Sequence, residues 1–428
     1  MNRPAASNKP IVILTSGTRG DIQPLIALGL GLQAAGRPVR FVTHRPFATF
    51  IRERGLAYAP LDGDLNALLA APEWHAALVY DGNPLRNLLT TMRYLQAARP
   101  VYARMLQSAW QQAQGASMII ASLPTAAFAG QLAQALGRPC VLALLQPTGP
   151  TAAFPSPLLP WTRSLGGRLN RLSHTLIERS LWMPWQTEIK HWRRTALGMN
   201  SWPRGGPFAE IQGTPIVYGF SPRIVPPPAD WPAQWHTTGY WFVDSPPDAD
   251  IPANLAHFLA TGPSPMYVGF GSMGNQRRAD LANIVIAGLR QAGQRAILAF
   301  SDLLPVGRVA DDLCVVGSIW HDRLFPHVAA VVHHGGAGTT AAALRAGRPS
   351  ISVPVGIDQW FWGQRIADLG AGSPPIAMRS LTPDRLAAAL RIATSTPIQG
   401  QAAMLGHAIR SEDGVGRAVA TILHIPNT

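Results

Sequence analysis

The stretch His333-His334-Gly335-Gly336-Ala337-Gly338-Thr339-Thr340 decides how this chain folds. It leaves a short apolar strand signal at 331–333 and enters an alanine-rich run that ends at Gly347. A second strand signal follows, Ser350-Ile351-Ser352-Val353-Pro354, and then Gly356-Ile357-Asp358-Gln359. A small-residue loop between a strand and a helix exposes backbone N–H groups at the positive end of the helix dipole, and the two together bind phosphate. The imidazole of His333 adds one more donor, while His334 is expected to point to the other side and serve the structure. Asp358 and Gln359 lie one helix and one strand further on, where a sugar joined to that phosphate would sit. A carboxylate and an amide together offer acceptors and donors to vicinal hydroxyls. An Asp that caps the helix after it is the plainer reading of Asp358.

Outward from this block, the same rhythm recurs. Residues 11–15 form an apolar strand, the loop Ser16-Gly17-Thr18-Arg19-Gly20-Asp21 follows, and Leu25, Leu28, Leu32 and Ala35 then repeat at helical spacing up to Gly36. The strand 39–43 completes a βαβ unit with a glycine in its first turn. More apolar strands are expected at 118–121, 141–145 and 216–220. A proline-rich stretch, 226–247, reads as the linker. A second α/β set begins at 267–272 and continues at 296–300, 314–316, 331–333 and 350–353, with a helical tail from Pro383. The expectation is an α/β protein of two Rossmann-like domains, residues 1–230 and 240–400. Their parallel sheets face a central cleft at the strand C-termini.

Composition narrows the function classes. The 428 residues suit two domains, and 47% hydrophobic content fills two cores. The two cysteines, Cys140 and Cys314, sit in apolar strand signals and have neither metal-ligand spacing nor a disulfide framework. The first apolar run is too short for a signal peptide and no run reaches membrane-spanning length, so a cytoplasmic protein is expected, with peripheral contact at the inner membrane surface as an option. The net charge of +13 fits an arginine-favouring proteome, an anionic membrane surface or an anionic substrate. The charge is spread along the chain and no nucleic-acid module is visible, which argues against nucleic acid as a partner.

Residues 150–210 break the rhythm. Leu165, Leu169, Leu172 and Leu176 recur at helical spacing among Arg163, Arg168, Arg171, Arg179, Arg193 and Arg194, with Trp161, Trp182, Trp185 and Trp192. Three readings stand: an interfacial amphipathic helix, the wall of an acceptor cleft, or a helical insertion with its apolar face in the core. Two Asp-x-Asp patterns, Asp62-Gly63-Asp64 and Asp248-Ala249-Asp250, read as solvated turns rather than a metal clamp. No clustered ligands suggest zinc, so no metal or cofactor is expected.

The His333–Gln359 block resembles the donor-binding signature of the family 1 glycosyltransferases of GT-B fold, in the style of sterol 3-beta-glucosyltransferases and related bacterial natural-product enzymes. Ser16-Gly17-Thr18-Arg19-Gly20-Asp21-Ile22-Gln23-Pro24, Gly269-Phe270-Gly271-Ser272-Met273 and His321-Asp322-Arg323-Leu324-Phe325-Pro326 are similar to further blocks of that family, in family order. The resemblance implies that His333, Gly335, Gly336, Ala337, Gly338 and Thr339 hold a donor diphosphate, with Ser272 touching it from the facing turn. It implies that Ile319 and Trp320 lie where the nucleobase binds, that Asp358 and Gln359 hold the sugar, and that a helix within 401–428 crosses back to the first domain. Trp320 stands where sterol-type relatives have proline, and Arg323 replaces a later tryptophan. Asp21 stands where many plant members carry a histidine base. A carboxylate there can take a proton from an acceptor hydroxyl if burial raises its pKa, although an N-cap role is the plainer one. Gly17, Thr18 and Arg19 are further candidates for phosphate or sugar contact.

The implied activity is inverting transfer of a hexose, glucose first, from a UDP-sugar to a hydroxyl of a lipophilic acceptor such as a sterol or other lipid. A polyketide, macrolide or other secondary-metabolite aglycone with a UDP- or TDP-sugar is the alternative. A sugar-nucleotide epimerase and a non-catalytic sugar-nucleotide-binding protein are the remaining readings.

Overall fold

The computed structural model describes residues 8–69, 71, 74, 84–160, 162–200, 213–271 and 278–426. Ser272 and Trp161 lie outside the described residues. The first sheet contains β1 (Ile11–Leu14), β2 (Val39–Thr43), β3 (Ala57–Pro60), β4 (Met118–Ala121), β5 (Cys140–Leu144), β6 (Ile216–Tyr218) and β7 (Trp235–Thr237). Their order is β3-β2-β1-β4-β5-β6-β7, with parallel pairing throughout. The second contains β8 (Met266–Gly269), β9 (Ala296–Leu298), β10 (Gly307–Ala310), β11 (Leu313–Val315), β12 (Val331–His333) and β13 (Ser350–Ser352), in the order β10-β11-β9-β8-β12-β13. Only the edge pair β10–β11 is antiparallel there.

A parallel sheet covered by helices on both faces needs strands that are apolar at every position. Residues Ile11 to Leu14 obey this: Val12 and Leu14 enter the core on one face, Ile11 and Ile13 the core on the other. Strand order reverses between β1 and β4 in one sheet and between β8 and β12 in the other. Such reversals open crevices at the strand C-termini. The loops after β1, β8 and β12 are thus the ones that the fold aims at the cleft.

Two boundaries differ from the sequence reading. The proline-rich stretch is not all linker, because β7 lies inside it and closes the first sheet. Trp231 and Trp235 are buried there, and Trp231 stacks on Tyr218 at 4.6 Å. The connection that leaves this domain is held down by the second one: the Asp322 carboxylate accepts from the Ser245 N–H and hydroxyl, and Arg323 donates to Ser245 Oγ at 2.7 Å. The tail also divides. The Thr396–Arg410 helix stays on the second domain against Gly347, and only the Gly414–Leu423 helix crosses back. Its Val415 and Val419 pack on Gly31 of the Arg19–Ala34 helix.

The 150–210 insertion reverses ordinary amphipathicity. The helix Gly167–Trp182 turns Asn170, Ser173 and His174 inward. Asn170 Nδ2 donates to the Ala152 carbonyl at 2.8 Å, Ser173 Oγ accepts from the Ser156 N–H, and the neutral His174 ring, lying between the carbonyls of Thr148 and Phe154, donates its one N–H to one of them. The irregular strap 148–156 has backbone groups that no sheet satisfies, and these side chains satisfy them. The leucine stripe consequently faces solvent: Leu165, Leu169, Leu172 and Leu176 are 37%, 55%, 49% and 55% exposed. The reading that buries that face in the core is overturned.

Candidate active site

Two helices meet end to end across the cleft. After β1 the chain turns at Gly17, with φ +134°, and starts the Arg19–Ala34 helix from Thr18. After β12 it turns at Gly335, with φ +89°, and starts the Ala337–Arg345 helix from Gly336. The helix starts nearly touch: a Cβ on Gly338 would lie 3.9 Å from Gly20 Cα. Each glycine turn is sterically forced. A side chain on Gly17 would strike the Asp21 carboxylate at 2.4 Å, and one on Gly335 would strike Ser352 Oγ at 2.5 Å.

Asp21 folds back over its own helix start. Its Oδ2 accepts from the Thr18 N–H at 2.8 Å and the Thr18 hydroxyl at 3.0 Å. Burial raises its pKa against these hydrogen bonds, which lower it. The capping role and the candidate base are therefore one carboxylate. Behind it, buried His44 accepts from or donates to Ser16 Oγ at 2.8 Å and bonds the Leu61 carbonyl through Nδ1 at 2.9 Å. The carbonyl can only accept, so Nδ1 carries the proton and the serine donates to Nε2. This strut under the loop is absent from the sequence reading, since a lone His after a strand carries no signal.

The Ala337–Arg345 helix has no acidic residue in its first turn and no side-chain cap. Its leading N–H groups are left for something else. The two adjacent histidines occupy opposite surroundings. His333 is fully enclosed, and the Gly335 N–H donates to its Nδ1 at 3.0 Å. The ring is neutral, because burial and the neighbouring His334 and His321 push its pKa down to about 3. Its proton then lies on Nε2, a buried donor with no partner among the described residues. His334 is half-buried, and its ring lies 3.3 Å from where a side chain on Gly271 would begin and directly beneath Gly336. It thus packs between the loops after β8 and β12, a structural position for this ring.

Asp358 is 7% exposed and accepts from Trp362 Nε1 at 3.0 Å. Its pKa rises to about 6, chiefly through burial, with the Asp21 charge adding to the rise and bonds from Trp362 and Gln146 opposing it. The two carboxylates, though from different domains, are near enough for the charge of one to be felt by the other. Gln146, on the loop after β5, is a further residue that sequence reading misses. Gln359 lies beside Asp358, but its Oε1 accepts from the N–H groups of Val355 and Gly356. It holds the loop, and only its amide N–H₂ remains for a ligand. That loop contains Ile357, the sole non-glycine residue with positive φ among the described residues. Strain of this kind collects at functional loops.

Ile319 and Trp320 lie at the rim. The indole of Trp320 faces the other domain: the guanidiniums of Arg19 and Arg54 sit 5.2 Å and 5.0 Å from its ring, and Phe50 is 6.2 Å away. The face assigned to a nucleobase is held by two cations, which an electron-rich indole attracts. The Asp62-Gly63-Asp64 pattern borders the His44 strut, with Asp64 Oδ1 3.9 Å from His44 Nε2, and is spent on local contacts. Asp64 caps a short helix through Asn66 and Ala67 N–H, and Asp62 lies 3.7 Å from Arg45. Among the described residues no three His, Cys, Asp or Glu side chains come together as a metal site.

Residues 11–136 match the glycosyltransferase family 28 N-terminal domain. Residues 295–413 match the C-terminal domain of the erythromycin biosynthesis protein CIII-like family. Each half of the chain thus matches a glycosyltransferase-type family model, and the whole has the GT-B fold. The sterol 3-beta-glucosyltransferase of Neosartorya fischeri is 34% identical over 438 aligned positions, covering 98% of this chain and 30% of that protein. The chain spans about a third of the length of that relative. Among solved structures, the glycotransferase of kitacinnamycin superposes with a TM-score of 0.69 at 17% identity, over 98% of this chain and 99% of the other. Glycosyltransferase VinC in complex with DTDP superposes with a TM-score of 0.62 at 20% identity, over 97% and 98%. At those identities the structures carry the GT-B fold and nothing finer.

Proposed function

We propose that this glycosyltransferase transfers a hexose, glucose first, from a UDP-sugar to a hydroxyl of a lipophilic acceptor, with inversion. The observation that carries the reading is the pair of opposed helix starts, one filled by the Asp21 carboxylate and the other uncapped at Gly336–Gly338. An anion on the second helix start is stabilised by its N–H groups and dipole. The donor diphosphate takes that place, with Gly335 to Thr339 around it and the unpartnered Nε2–H of His333 as the added donor. Asp358 and the Gln359 amide hold the sugar hydroxyls. Asp21 takes the acceptor proton as the acceptor oxygen forms its bond to the anomeric carbon. The bond from that carbon to the diphosphate breaks, and the charge that appears there is met by the helix start. This scheme asks for no metal.

The name of the Neosartorya fischeri relative, with identity along almost the whole of this chain, supports a sterol or a similar lipid as acceptor. The exposed leucine stripe, flanked by exposed Arg163, Arg168 and Arg179, supports peripheral contact with an anionic bilayer at the cytoplasmic face. In the described residues no helix is long and apolar enough to cross a membrane. The deciding experiment incubates the protein with UDP-glucose or TDP-glucose and a panel of sterols, other hydroxylated lipids and polyketide aglycones. Glycoside product on a lipid supports the reading. Product on the aglycones alone moves the acceptor class, an epimerised donor replaces transfer, and nucleotide-sugar binding without product removes catalysis. Anionic vesicles should bind the protein at low salt and release it as salt rises; indifference to them removes the membrane contact.

A further inference from the structure

The loop that joins β13 to the Gln359–Asp368 helix runs from buried Pro354 to buried Asp358 and shows two aliphatic side chains to solvent. Val355 is 54% exposed and Ile357 67%, the highest value of any large apolar side chain among the described residues. Ile357 also carries a left-handed φ of +54°. A side chain branched at Cβ is strained there, where glycine or asparagine is at ease. Hydrogen bonds pin the loop in that shape: Gln359 Oε1 accepts from the Val355 and Gly356 N–H groups at 2.8 and 3.2 Å, and the Gln359 N–H donates to the Gly356 carbonyl at 3.3 Å. An apolar residue just before a helix N-cap often packs on the fourth residue of that helix. Here the partner would be Trp362, yet its indole is buried and bonded to Asp358 while Ile357 stays in the open. Ile357 is thus both strained and exposed, and no packing among the described residues accounts for either.

The loop borders the reaction site. It leads directly into Asp358, whose carboxyl takes a bond from Gln146 of the first domain and feels the Asp21 charge. Consecutive Cα atoms are about 3.8 Å apart, so Ile357 stands one residue from the group that holds the donor sugar on the proposed reading. The attacking oxygen must come within about 3–3.5 Å of the anomeric carbon of that sugar. The body of a sterol-sized acceptor therefore begins within a few side-chain lengths of this loop. On the same edge, Phe361 in the first turn of the helix meets Phe154 of the first domain at 5.5 Å, so apolar surface continues across the domain divide. Space beside the loop is free: a Cβ on Gly356 would meet nothing within 4 Å.

We propose that Val355 and Ile357 form a lip on the second domain that covers the apolar body of the acceptor next to its reacting hydroxyl, and so selects lipophilic over polar alcohols. This rests on the proposed function and adds to it a recognition element outside the first domain. The occupant is the acceptor rather than the donor. A nucleotide sugar is charged and hydroxylated and offers aliphatic side chains little apolar area, whereas a hydrocarbon body covering them takes apolar area of both partners out of water. The pinned backbone suits that role, because a loop already held in one shape loses little freedom when the acceptor is covered.

The test replaces Ile357 with Asn, which tolerates a left-handed φ and is polar. The melting temperature of Ile357→Asn should equal or exceed that of the wild type, since strain is relieved. A clear fall would show that the side chain serves the fold, and overturns the proposal. With UDP-glucose and a sterol, Ile357→Asn should raise the acceptor KM roughly tenfold and leave the donor KM unchanged. Ile357→Leu, still apolar, should keep the acceptor KM within about threefold of wild type. Val355→Thr, the same shape with a hydroxyl, should raise it in the same direction as Ile357→Asn. An unchanged acceptor KM in Ile357→Asn, or a rise in donor KM in its place, overturns the proposal. If the wild-type protein glycosylates only polyketide aglycones, the acceptor class of the proposed function fails and the same comparison is read on the aglycone. If it makes no glycoside, transfer itself fails, and the comparison is read from calorimetric binding of a water-soluble hydroxysteroid in the presence of UDP. Binding that Ile357→Asn weakens then supports the lip; absent or equal binding removes it.

Discussion

The turns after β1 and β12 are built alike and do opposite things. Each is a strand, a left-handed glycine and a helix start, and the two starts face each other at Gly20 and Gly338. In the first, the chain supplies its own anion: Asp21 accepts from the Thr18 N–H and hydroxyl. In the second the chain supplies none. On the proposed reading, one turn seats a base and the other a diphosphate. The difference is a single carboxylate in the first helical turn, and its absence at Gly338 or Thr339 is as informative as its presence at Asp21.

The strongest way to break the contrast is Asp21→Asn. The amide can still accept from Thr18 N–H but cannot take a proton, so turnover should fall roughly 10²–10⁴-fold while UDP affinity, measured by calorimetry, stays put. Turnover within tenfold of wild type would assign the base elsewhere. The same variant sharpens the pH profile. Since burial raises the Asp21 pKa, wild-type kcat/KM should drop on the acid side at a pH above the ordinary aspartate range, and the residual rate of the variant should lack that limb. Next is Gly17→Ala. Its methyl would enter the carboxylate's space at a φ that L-residues avoid, and displacing the base by a fraction of an ångström should cost roughly ten- to a hundredfold in kcat. Unchanged kcat would show that the position of Asp21 is not held by that turn.

Gly338→Asp makes the second turn resemble the first. A carboxylate on the open helix start should compete with the diphosphate and weaken UDP binding about tenfold. Equal or tighter binding would place the diphosphate elsewhere. The smallest effect belongs to the rim. Trp320→Leu removes the surface that Arg19 and Arg54 hold from the other domain, a contact of about 0.5–2 kcal/mol. It should loosen domain closure, seen as a larger radius of gyration in solution scattering, with UDP affinity changed only a few-fold.

Much of this was legible in the sequence, for physical reasons. Unbroken apolar runs such as Ile11 to Leu14 announce buried parallel strands, and glycine loops before helices announce the turns. The order of the blocks carried the two-domain plan. What stayed hidden depends on surroundings rather than spacing. The leucines at 165, 169, 172 and 176 declare a helix but not which way it faces, because the polar strap they sit over is irregular and its carbonyls are invisible in sequence. His333 and His334 differ by one residue, and only the strand's alternation in three dimensions separates the enclosed ring from the half-buried one. β7 was concealed among prolines, where Trp231 and Trp235 supply the burial that the local pattern does not. The edge strand β10, half exposed, leaves no apolar trace.

The returning helix at Gly414–Leu423 has a consequence for synthesis. Ala418, Val419 and Ile422 complete the core that Ile22, Leu25 and Ile26 begin. The amino-terminal domain leaves the ribosome first, yet its hydrophobic seal is translated only after the second domain. It must wait, partly uncovered, while the later domain assembles, and a chain stopped short of residue 414 would leave that wound open to chaperones and proteases.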